Sequence, residues 1–560
     1  MTSRRVFLSQ ITAVAGLPLV PSLSRGAGTT DPSTSLALPT VAQRTWQELE
    51  VGMFVHFAPN TWQDKEYDDR TTPLSAITPD IDTEQWADTA VALGARYVIL
   101  VAKHVGGFCL WQTGTTDYGI RHTPWRGGKG DVMADLAASC AKRELNLGVY
   151  LSPRDDHFGA GLSGRCQTAE AQQRYNAIYR QQLTELLTRY GPITELWLDG
   201  SSVVPTGDLV SRFSPSAMVF QGPQATIRWV GNEAGFAPYP CWNTLEAADA
   251  HTGIATALHG DPLGDTWMPV EVDVSIRRPN WFWSTTNQTN LLSRDALIEI
   301  YYRSVGRGAQ LLLNLPPDRT GKIPAADAAR AKEFGDEIRR RFATSLAETA
   351  GRGSRVTLEL PGPYRVDHVI LEEDLAQGER VRRYHLEGRR GSGAWVTLGS
   401  GVAIGHKRIH PVGPANLSAV RLVVAESAAT PVIRRLAVFD TGAAPPPTWQ
   451  DQVDLWADDA VGRWHGATFA VDLTAAIKAA GSYRIRLVPD GGEDCALEQV
   501  VVEVGGVRQP RLVRVGERPD LAQLTIPKVG LRILLRGQVR GAGTGGGSLL
   551  LRFTQANLSR

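Results

Sequence analysis

Short apolar runs and helix-like segments alternate between residues 52 and 314 of this chain. The runs, most of which end in polar residues, are Gly52–His56, Tyr97–His104, Leu147–Ser152, Glu195–Asp199, Met218–Gln221, Trp267–Glu271 and Gln310–Asn314. The segments with apolar residues at three- and four-residue spacing include Thr83–Leu93, Val132–Arg143 and Glu170–Arg189. Apolar strands separated by helices are typical of a parallel sheet covered by helices. Roughly seven or eight such units in about 300 residues favour an α/β fold of the (β/α)8-barrel type over an open doubly wound sheet.

Polar residues of catalytic type lie in or just after the ends of five of these runs. They are His56, His104, Tyr150, Asp199 and Glu271. In a (β/α)8 barrel the C-terminal ends of the strands form the active-site face. A single residue of this kind is more often a hydrogen-bonded buried group, but five at equivalent positions predict a functional site.

The residue types at the strand ends favour catalysis by carboxyl groups. The first strand has Val55-His56-Phe57 where a metal hydrolase usually has His-x-His, and no Gly-x-Ser-x-Gly elbow occurs. No Gly-x-Gly-x-x-Gly follows the first strand and no Walker loop is present, which argues against nucleotide binding. Cleavage of a glycosidic bond by two carboxyl groups fits what remains. We therefore expect neither a metal nor another cofactor.

Composition narrows the classes of partner. The chain has 59 Lys plus Arg against 58 Asp plus Glu, so it lacks the positive charge that nucleic acids and anionic membrane surfaces attract. Its 15 tryptophans suit sugar recognition, although any single one of them is at least as readily explained as ordinary core. The five cysteines contain no C-x-x-C pair, which argues against a zinc knuckle, a redox motif or a disulfide scaffold.

The first residues have the pattern of an export signal. Arg4-Arg5 precedes Phe7-Leu8 and a modestly apolar run, Ile11–Leu23, in the arrangement typical of a twin-arginine signal. The run is short and interrupted by Gly, Pro and Ser, whereas a membrane span needs about 20 apolar residues. We expect residues 1–35 to form an export signal and tether, and the protein to be periplasmic or secreted.

Several short segments, in chain order, carry a family resemblance. They are Gly52–Ala58, Ala102–His104, Gly107–Trp111, Gly128–Asp131, Gly148–Pro153, Trp197–Gly200, Arg228–Glu233, Glu271–Ile276, Trp281–Trp283 and Leu311–Pro317. Through them the stretch Trp46–Phe342 resembles the α-L-fucosidases of glycoside hydrolase family 29, and Gly231-Asn232-Glu233 resembles the branch that favours α-1,3/1,4-linked fucose. The resemblance implies a retaining α-L-fucosidase that releases terminal L-fucose from a fucosylated oligosaccharide or glycoconjugate by double displacement.

The resemblance also implies roles for particular residues. Asp199 matches the catalytic nucleophile and Glu233 the acid/base, with Glu271 as the alternative acid/base. The implied substrate-binding residues are His56, Glu66, His104, Trp111, Tyr150, Trp197, Trp229, Glu271 and Trp281. A retaining glycosidase needs one ionised and one protonated carboxyl group about 5–5.5 Å apart. Trp229, close to Glu233 in sequence, is of the type that desolvates a carboxyl group and raises its pKa.

One departure from the family pattern leaves the substrate open. Family members usually have two adjacent histidines and then Asp-Gly-Phe, whereas this chain has His104-Val105-Gly106-Gly107-Phe108. Because a site built to bond a hydroxyl discriminates strongly by that hydroxyl, either another group replaces the lost contact or the sugar differs. Two alternatives follow: a glycosidase of a related sugar such as an α-L-galactoside, or a non-catalytic glycan-binding protein on a decayed barrel.

Beyond the barrel the sequence changes to the period of β-strands. At 560 residues the chain exceeds the roughly 250–300 residues of a single core, so further domains are expected. Alternating runs from Val356 onward predict a β-sandwich over residues 346–442 after a catalytic barrel of residues 36–345. The sandwich resembles a galactose-binding-like module. A proline linker, Ala443–Thr448, then leads to a second β-sandwich over residues 449–560. Whether these modules bind glycan or support the barrel stays open, as does the oligomeric state.

Overall fold

The structure is a computed structural model. It describes residues 36–247, 250, 260–443, 454–465, 468–472, 474, 481–490, 496–508, 523–526, 531–540 and 547–556. The predicted export signal and most of the predicted proline linker lie outside these residues. No helix in the described ranges is long and apolar enough to cross a membrane.

The first part of the chain forms a parallel barrel. In chain order its region contains β1 (Val51–Val55), β2 (Tyr97–Lys103), β3 (Asn146–Leu151), β4 (Ile193–Trp197), β5 (Met218–Phe220), β6 (Arg228–Trp229), β7 (Thr244–Leu245), β8 (Thr266–Trp267), β9 (Val270–Ser275) and β10 (Gln310–Asn314). Eight of them form one sheet in the order β5-β4-β3-β2-β1-β10-β9-β6. A parallel bridge between Phe220 of β5 and Ile227, next to β6, brings the two ends of the sheet together. The predicted (β/α)8-type barrel is confirmed.

Helices cover the outside of this barrel. They are α1 (Val41–Gln47), α2 (Asn60–Gln63), α3 (Thr83–Leu93), α4 (Val132–Ala141), α5 (Ala169–Arg189), α6 (Gly207–Phe213), α7 (Arg294–Arg303) and α8 (Ala325–Phe342). The side chains of Asp82, Asp131, Thr168 and Ser293 cap α3, α4, α5 and α7 by accepting from a backbone N–H in the first turn. These caps explain why the predicted starts of α3, α4 and α5 agree with the structure to within about one residue.

A glycine on the first strand makes room inside the barrel. Gly52 of β1 pairs with Tyr97 of β2, and a Cβ atom at position 52 would overlap the Tyr97 ring. The phenol therefore occupies space in the barrel interior that a larger residue on β1 would fill.

The predicted strand Trp267–Glu271 is wrong in its bounds. Trp267 belongs to a two-stranded antiparallel ribbon of β7 and β8, and the barrel strand β9 begins only at Val270. Along β9, valines alternate with Glu271, Asp273 and Ser275, as expected for a strand with one face toward the helices and one toward the barrel interior. Glu271 therefore lies at the N-terminal end of its strand rather than at the C-terminal end.

A six-stranded antiparallel sheet follows the barrel. Its strands are β11 (Ala347–Arg352), β12 (Arg355–Glu373), β13 (Val381–Arg389), β14 (Trp395–Gly401), β15 (Arg408–Ser427) and β16 (Val432–Phe439), in the order β11-β16-β12-β15-β13-β14. The register between β12 and β15 shifts between Glu359 and Tyr364, where Pro361 and Pro363 have no N–H to donate.

This six-stranded sheet packs against the barrel through polar contacts. Glu50, just before β1, forms an ion pair with Lys407 and a hydrogen bond with His406 Nε2, and these contacts hold the pKa of its half-buried carboxyl at about 2, against the effect of desolvation. The Tyr302 hydroxyl of α7 bonds to His368 Nε2 at 2.8 Å. Such contacts suit a sheet that supports the barrel.

The last described strands also form an antiparallel sheet. They are β17 (Asp454–His465), β18 (Thr468–Asp472), β19 (Gly481–Asp490), β20 (Ala496–Val504), β21 (Val507–Arg508), β22 (Gln523–Ile526), β23 (Ile533–Arg540) and β24 (Gly547–Ala556). Their order is β21-β20-β23-β18-β17-β24-β19-β22. The chain thus continues after the barrel with separate antiparallel sheets.

Candidate active site

A pocket lies at the C-terminal ends of the barrel strands. The space between its walls, part of it open to solvent, amounts to about 430 Å³. Its lining consists of aromatic, imidazole, amide and carboxyl side chains: Phe54, His56, His104, Tyr150, Trp197, Asp199, Phe220, Gln221, Trp229, Glu233, Asp273 and Trp281. The set includes eight of the predicted site residues, namely His56, His104, Tyr150, Trp197, Asp199, Trp229, Glu233 and Trp281.

Asp199 lies on a tightly held turn just after β4. Gly200 and Ser201 both have positive φ, at 72° and 66°, and the Gly200 N–H donates to Gln221 Oε1 at 2.7 Å. The Tyr150 hydroxyl donates to Asp199 Oδ2 at 2.9 Å. Burial raises the pKa of the Asp199 carboxyl, and the hydrogen bond from Tyr150 opposes this by favouring the ionised form. The turn thus presents one oriented carboxyl group to the pocket.

The two pocket histidines are neutral. His56 Nδ1 is 2.8 Å from Asn314 Oδ1, while Asn314 Nδ2 donates to Ser275 Oγ and to the Trp281 carbonyl. Because the Asn314 amide is oriented in this way, His56 Nδ1 carries the proton and Nε2 keeps its lone pair. Burial lowers the pKa of both imidazoles, that of His104 to about 3.

His104 has a hydrogen-bonding atom that is available to a ligand. Its Nδ1 is buried and has no partner among the described residues. A buried polar atom is costly when unpaired, so it suits a ligand hydroxyl. His104 lies roughly parallel to the Tyr150 ring, at 22° and 6.0 Å between centroids, which holds the imidazole in place.

Asp273 is a pocket carboxyl that the sequence prediction missed. Trp229 Nε1 donates to its Oδ1 at 2.6 Å. Burial, together with the neighbouring Glu233 carboxyl, raises its pKa well above the ordinary value, which favours the protonated form. The alternation of β9 carries the signal for Asp273, but the predicted strand ends at Glu271, four residues before the end of β9.

Glu66 lies behind the pocket wall rather than in it. Its carboxyl accepts the Trp281 backbone N–H at 3.0 and 3.2 Å, and this holds the tryptophan that lines the pocket. Burial raises the pKa of Glu66 to about 7, and the charge of Glu233 adds to that effect. Glu66 therefore supports the wall that carries Trp281.

The predicted substrate contact of Trp111 is wrong. The side chain is fully buried, and its indole Nε1 donates to Glu185 Oε2 of α5 at 2.9 Å. The segment after β2 folds back so that the Leu110 N–H bonds to the Ala102 carbonyl, which carries Trp111 outward between barrel and helix.

The predicted roles of Glu271 are also corrected. The residue is fully buried, and its carboxyl accepts from Trp197 Nε1 at 2.9 Å and from the Tyr97 hydroxyl at 3.1 Å. Trp197 thus stands between Glu271 and the pocket. Neither direct substrate binding nor acid/base catalysis fits this position.

Val105 and Gly106 are the positions where this chain departs from the family pattern, and the side chain of Asp68 takes up the space beside Gly106. Val105 is buried and does not line the pocket, while a Cβ atom at Gly106 would lie 2.5 Å from Asp68 Oδ2. Asp68 is fixed there by the Tyr118 hydroxyl at 2.7 Å. A carboxylate from another segment therefore fills the space beside position 106.

The described residues contain no cluster of three or more His, Cys, Asp or Glu side chains arranged to hold a metal ion.

Comparison with known proteins places this barrel in a family. The family model for α-L-fucosidases matches residues 42–340, which span nearly the whole barrel. Alpha-L-fucosidase 1 of Arabidopsis thaliana is 33% identical over 461 residues, 73% of this chain and 88% of the relative. The chain belongs to the α-L-fucosidase family. It is accordingly a glycoside hydrolase, and the predicted enzyme class is confirmed.

Solved structures agree with this family placement. A structure from Bacteroides thetaiotaomicron is 33% identical and superposes with a TM-score of 0.69 over 72% of this chain and 100% of that one. A Ruminococcus gnavus glycoside hydrolase family 29 fucosidase in complex with fucose is 26% identical, with a TM-score of 0.65 over 74% of this chain and 97% of that one.

Tyr150→Phe should shift the acidic limb of the pH profile of kcat/KM toward higher pH. The hydroxyl stabilises ionised Asp199, the predicted nucleophile, so its loss should raise the pKa of that carboxyl. A shift of about 0.5–1 pH unit corresponds to one ordinary hydrogen bond. The profile is measured with an aryl α-L-fucoside.

Tyr190→Phe is the matched control for this prediction. Its hydroxyl also bonds to an aspartate at 2.9 Å, Asp131 on the outside of the barrel. An unshifted acidic limb in Tyr150→Phe, or an equal shift in both variants, would contradict the assigned role of Tyr150.

Proposed function

We propose that this protein is a retaining α-L-fucosidase that releases terminal L-fucose from fucosylated oligosaccharides or glycoconjugates. The observation that carries the proposal is the convergence of Asp199 and Glu233 in one aromatic-lined pocket of a family barrel. The related R. gnavus fucosidase, which binds fucose, supports a fucosyl substrate.

The proposed mechanism uses two carboxyl groups, one as nucleophile and one as acid/base. Ionised Asp199 attacks the anomeric carbon while Glu233 gives its proton to the departing glycosidic oxygen. The resulting glycosyl-enzyme is then hydrolysed by a water molecule whose proton returns to Glu233, which frees Asp199 and releases fucose with its anomeric configuration retained.

The remaining pocket groups suit a deoxy sugar. Neutral His56 offers an acceptor at Nε2, His104 offers an unpaired Nδ1, and Asp273 in its protonated form offers a donor. The pocket can therefore accept a hydrogen bond from one ring hydroxyl of the sugar and donate one to another. Fucose also carries a methyl group at C5, and Phe54, Trp281 and the other aromatic side chains provide apolar surface for it.

The linkage preference is proposed to be α-1,3/1,4. It rests on the resemblance of Gly231-Asn232-Glu233 and Glu271–Ile276 to the branch of the family with that preference. Glu233 lies in the pocket and Asp273, in the second segment, lies beside Trp229. Both segments therefore lie at or near the position where the leaving group would depart.

Hydrolysis should be seen with an aryl α-L-fucoside and with an oligosaccharide carrying α-1,3- or α-1,4-linked fucose. NMR of the released sugar should show α-fucose first, because two inversions retain configuration. A faster reaction with an aryl α-L-galactoside than with the aryl α-L-fucoside would contradict L-fucose as the sugar that is released. Sugar binding without turnover, unchanged in Asp199→Ala, would indicate a non-catalytic glycan-binding protein.

Substitutions should separate the two carboxyl groups. Asp199→Gly should abolish turnover, and azide should partly restore it by attacking from the vacated face. Glu233→Ala should lose about 10²–10⁴-fold on natural linkages but much less on activated aryl leaving groups, which need no proton. Glu333→Ala, an exposed glutamate on α8, is the control. Equal losses on both substrate types in Glu233→Ala would refute its role as the acid.

We also propose export by the twin-arginine route, on the pattern Arg4-Arg5 with Phe7-Leu8. Replacing both arginines by lysine keeps the charge but removes the guanidinium pair, and should leave the enzyme in the cytoplasmic fraction of a bacterial host. Fractionation with an activity stain measures this. Unchanged export of the double-lysine variant would contradict the proposal.

A further inference from the structure

Two glutamates from opposite sides of the barrel meet beneath the active-site floor. Glu195 of β4 and Glu271 of β9 are both fully buried, and their carboxyl groups are hydrogen-bonded to each other. Each also accepts from Trp197 Nε1, at 2.7 Å for Glu195 Oε1 and 2.9 Å for Glu271 Oε1. The proposed reaction uses neither group.

Neighbouring donors complete this cluster. Trp46 Nε1 donates to Glu195 Oε2 at 2.7 Å and the Tyr97 hydroxyl donates to Glu271 Oε2 at 3.1 Å. Among the described residues no lysine, arginine or histidine forms an ion pair with either carboxyl; the Asp273 carboxyl follows on the same strand as Glu271. Two buried carboxylates without a cation cannot both be ionised, so the pair holds a proton.

The arrangement of donors decides where that proton lies. Both Glu195 oxygens face an indole N–H, which can only donate, whereas Glu271 faces one indole N–H and the Tyr97 hydroxyl, which can also accept. Glu271 is therefore the partner whose surroundings can take a carboxyl O–H, and it donates to Glu195. Burial raises the pKa of both groups, and the neighbouring Glu195 raises that of Glu271 further.

The cluster connects to the reacting residues through Trp197. The Trp197 ring lies parallel to Phe220, with centroids 3.6 Å apart, and packs against Phe54 and Tyr150. Two residues further along the chain is Asp199, and Tyr150 donates to it. A rotation of the indole would therefore disturb both the pocket floor and the orientation of Asp199.

We propose that Glu195 and Glu271 form a proton-sharing positioning pair, in which Glu271 donates to the Glu195 carboxylate and together they lock the Trp197 indole under the active site. The role of the pair in turnover rests on the proposed fucosidase function. Neither glutamate touches substrate, so both are positioning residues.

Two substitutions of equal size test the pair. In Glu271→Gln the amide oxygen can still accept from Trp197 Nε1, while the amide N–H₂ faces the Tyr97 hydroxyl, which can accept as well as donate. In Glu195→Gln the amide N–H₂ faces an indole N–H at either oxygen position, where only acceptors fit. On an aryl α-L-fucoside, we expect Glu271→Gln to keep kcat/KM within about threefold and Glu195→Gln to lose about 10–100-fold, since a misplacement of about 1 Å can cost 10²-fold.

The leaving group distinguishes positioning from acid catalysis. Because the pair acts on the nucleophile's side, the loss in Glu195→Gln and in Glu271→Leu should be equal for activated and natural leaving groups. Equal behaviour of the two glutamine variants would overturn the proposal, and so would a loss in Glu271→Gln confined to poor leaving groups.

Thermal unfolding gives a readout that does not depend on turnover. A carboxyl whose pKa is raised on folding destabilises the fold as pH rises above its unfolded value of 4.5, because the unfolded chain releases the proton that the folded protein keeps. Above about pH 5, Glu271→Gln should therefore lose less stability with rising pH than the wild type, because it lacks that proton. An unchanged pH dependence would overturn the shared proton. A wild-type protein inactive on every α-L-fucoside would refute the proposed function while leaving this comparison valid.

Discussion

Closure of the parallel sheet is the constraint on which the site depends. Asp199 follows β4, Glu233 follows β6 and Asp273 lies on β9, so these carboxyl groups come from separate parts of the chain. They line one pocket because β5 and β6 meet through the bridge between Phe220 and Ile227. The barrel also needs space inside, which Gly52 leaves for Tyr97. An open sheet would leave the same side chains on a line rather than around a cavity.

Burial of carboxyl groups without cations sets the electrostatics of this barrel. Asp199, Asp273, Glu195 and Glu271 are all desolvated, and the pKa of each is raised mainly for that reason. They differ in their hydrogen-bond donors. Asp199 accepts from Tyr150 and is thereby biased toward the ionised form, whereas Asp273, beside the Glu233 carboxyl, is biased toward the protonated form. One type of side chain thus suits three tasks: the proposed nucleophile, a hydrogen-bond donor and a structural pair.

A second layer of residues fixes those that face the pocket. Asn314 sets the tautomer of His56, Glu66 holds the backbone of Trp281, and Asp68 fills the space beside Gly106. The last contact bears on the lost His-Asp pair of the family pattern. The chain supplies a carboxyl group beside Gly106 from a different loop, so the space of the missing aspartate is filled.

The sequence alone determined the barrel, the family and most of the pocket, because each depends on local patterns. Continuous apolar runs, capped helices and polar strand ends are encoded within about ten residues, and they led to His56, His104, Tyr150 and Asp199, while the family resemblance of a short segment led to Glu233. Only the tertiary structure decided the roles of Glu271, Trp111 and Asp273. A strand that alternates Val with Glu, Asp and Ser places all three polar residues on one face, but which of them reaches the pocket depends on where the strand begins in the barrel. That register is set by pairing with β10 and β6, which are distant in sequence, so no local pattern could place Glu271 below Trp197 and Asp273 above it.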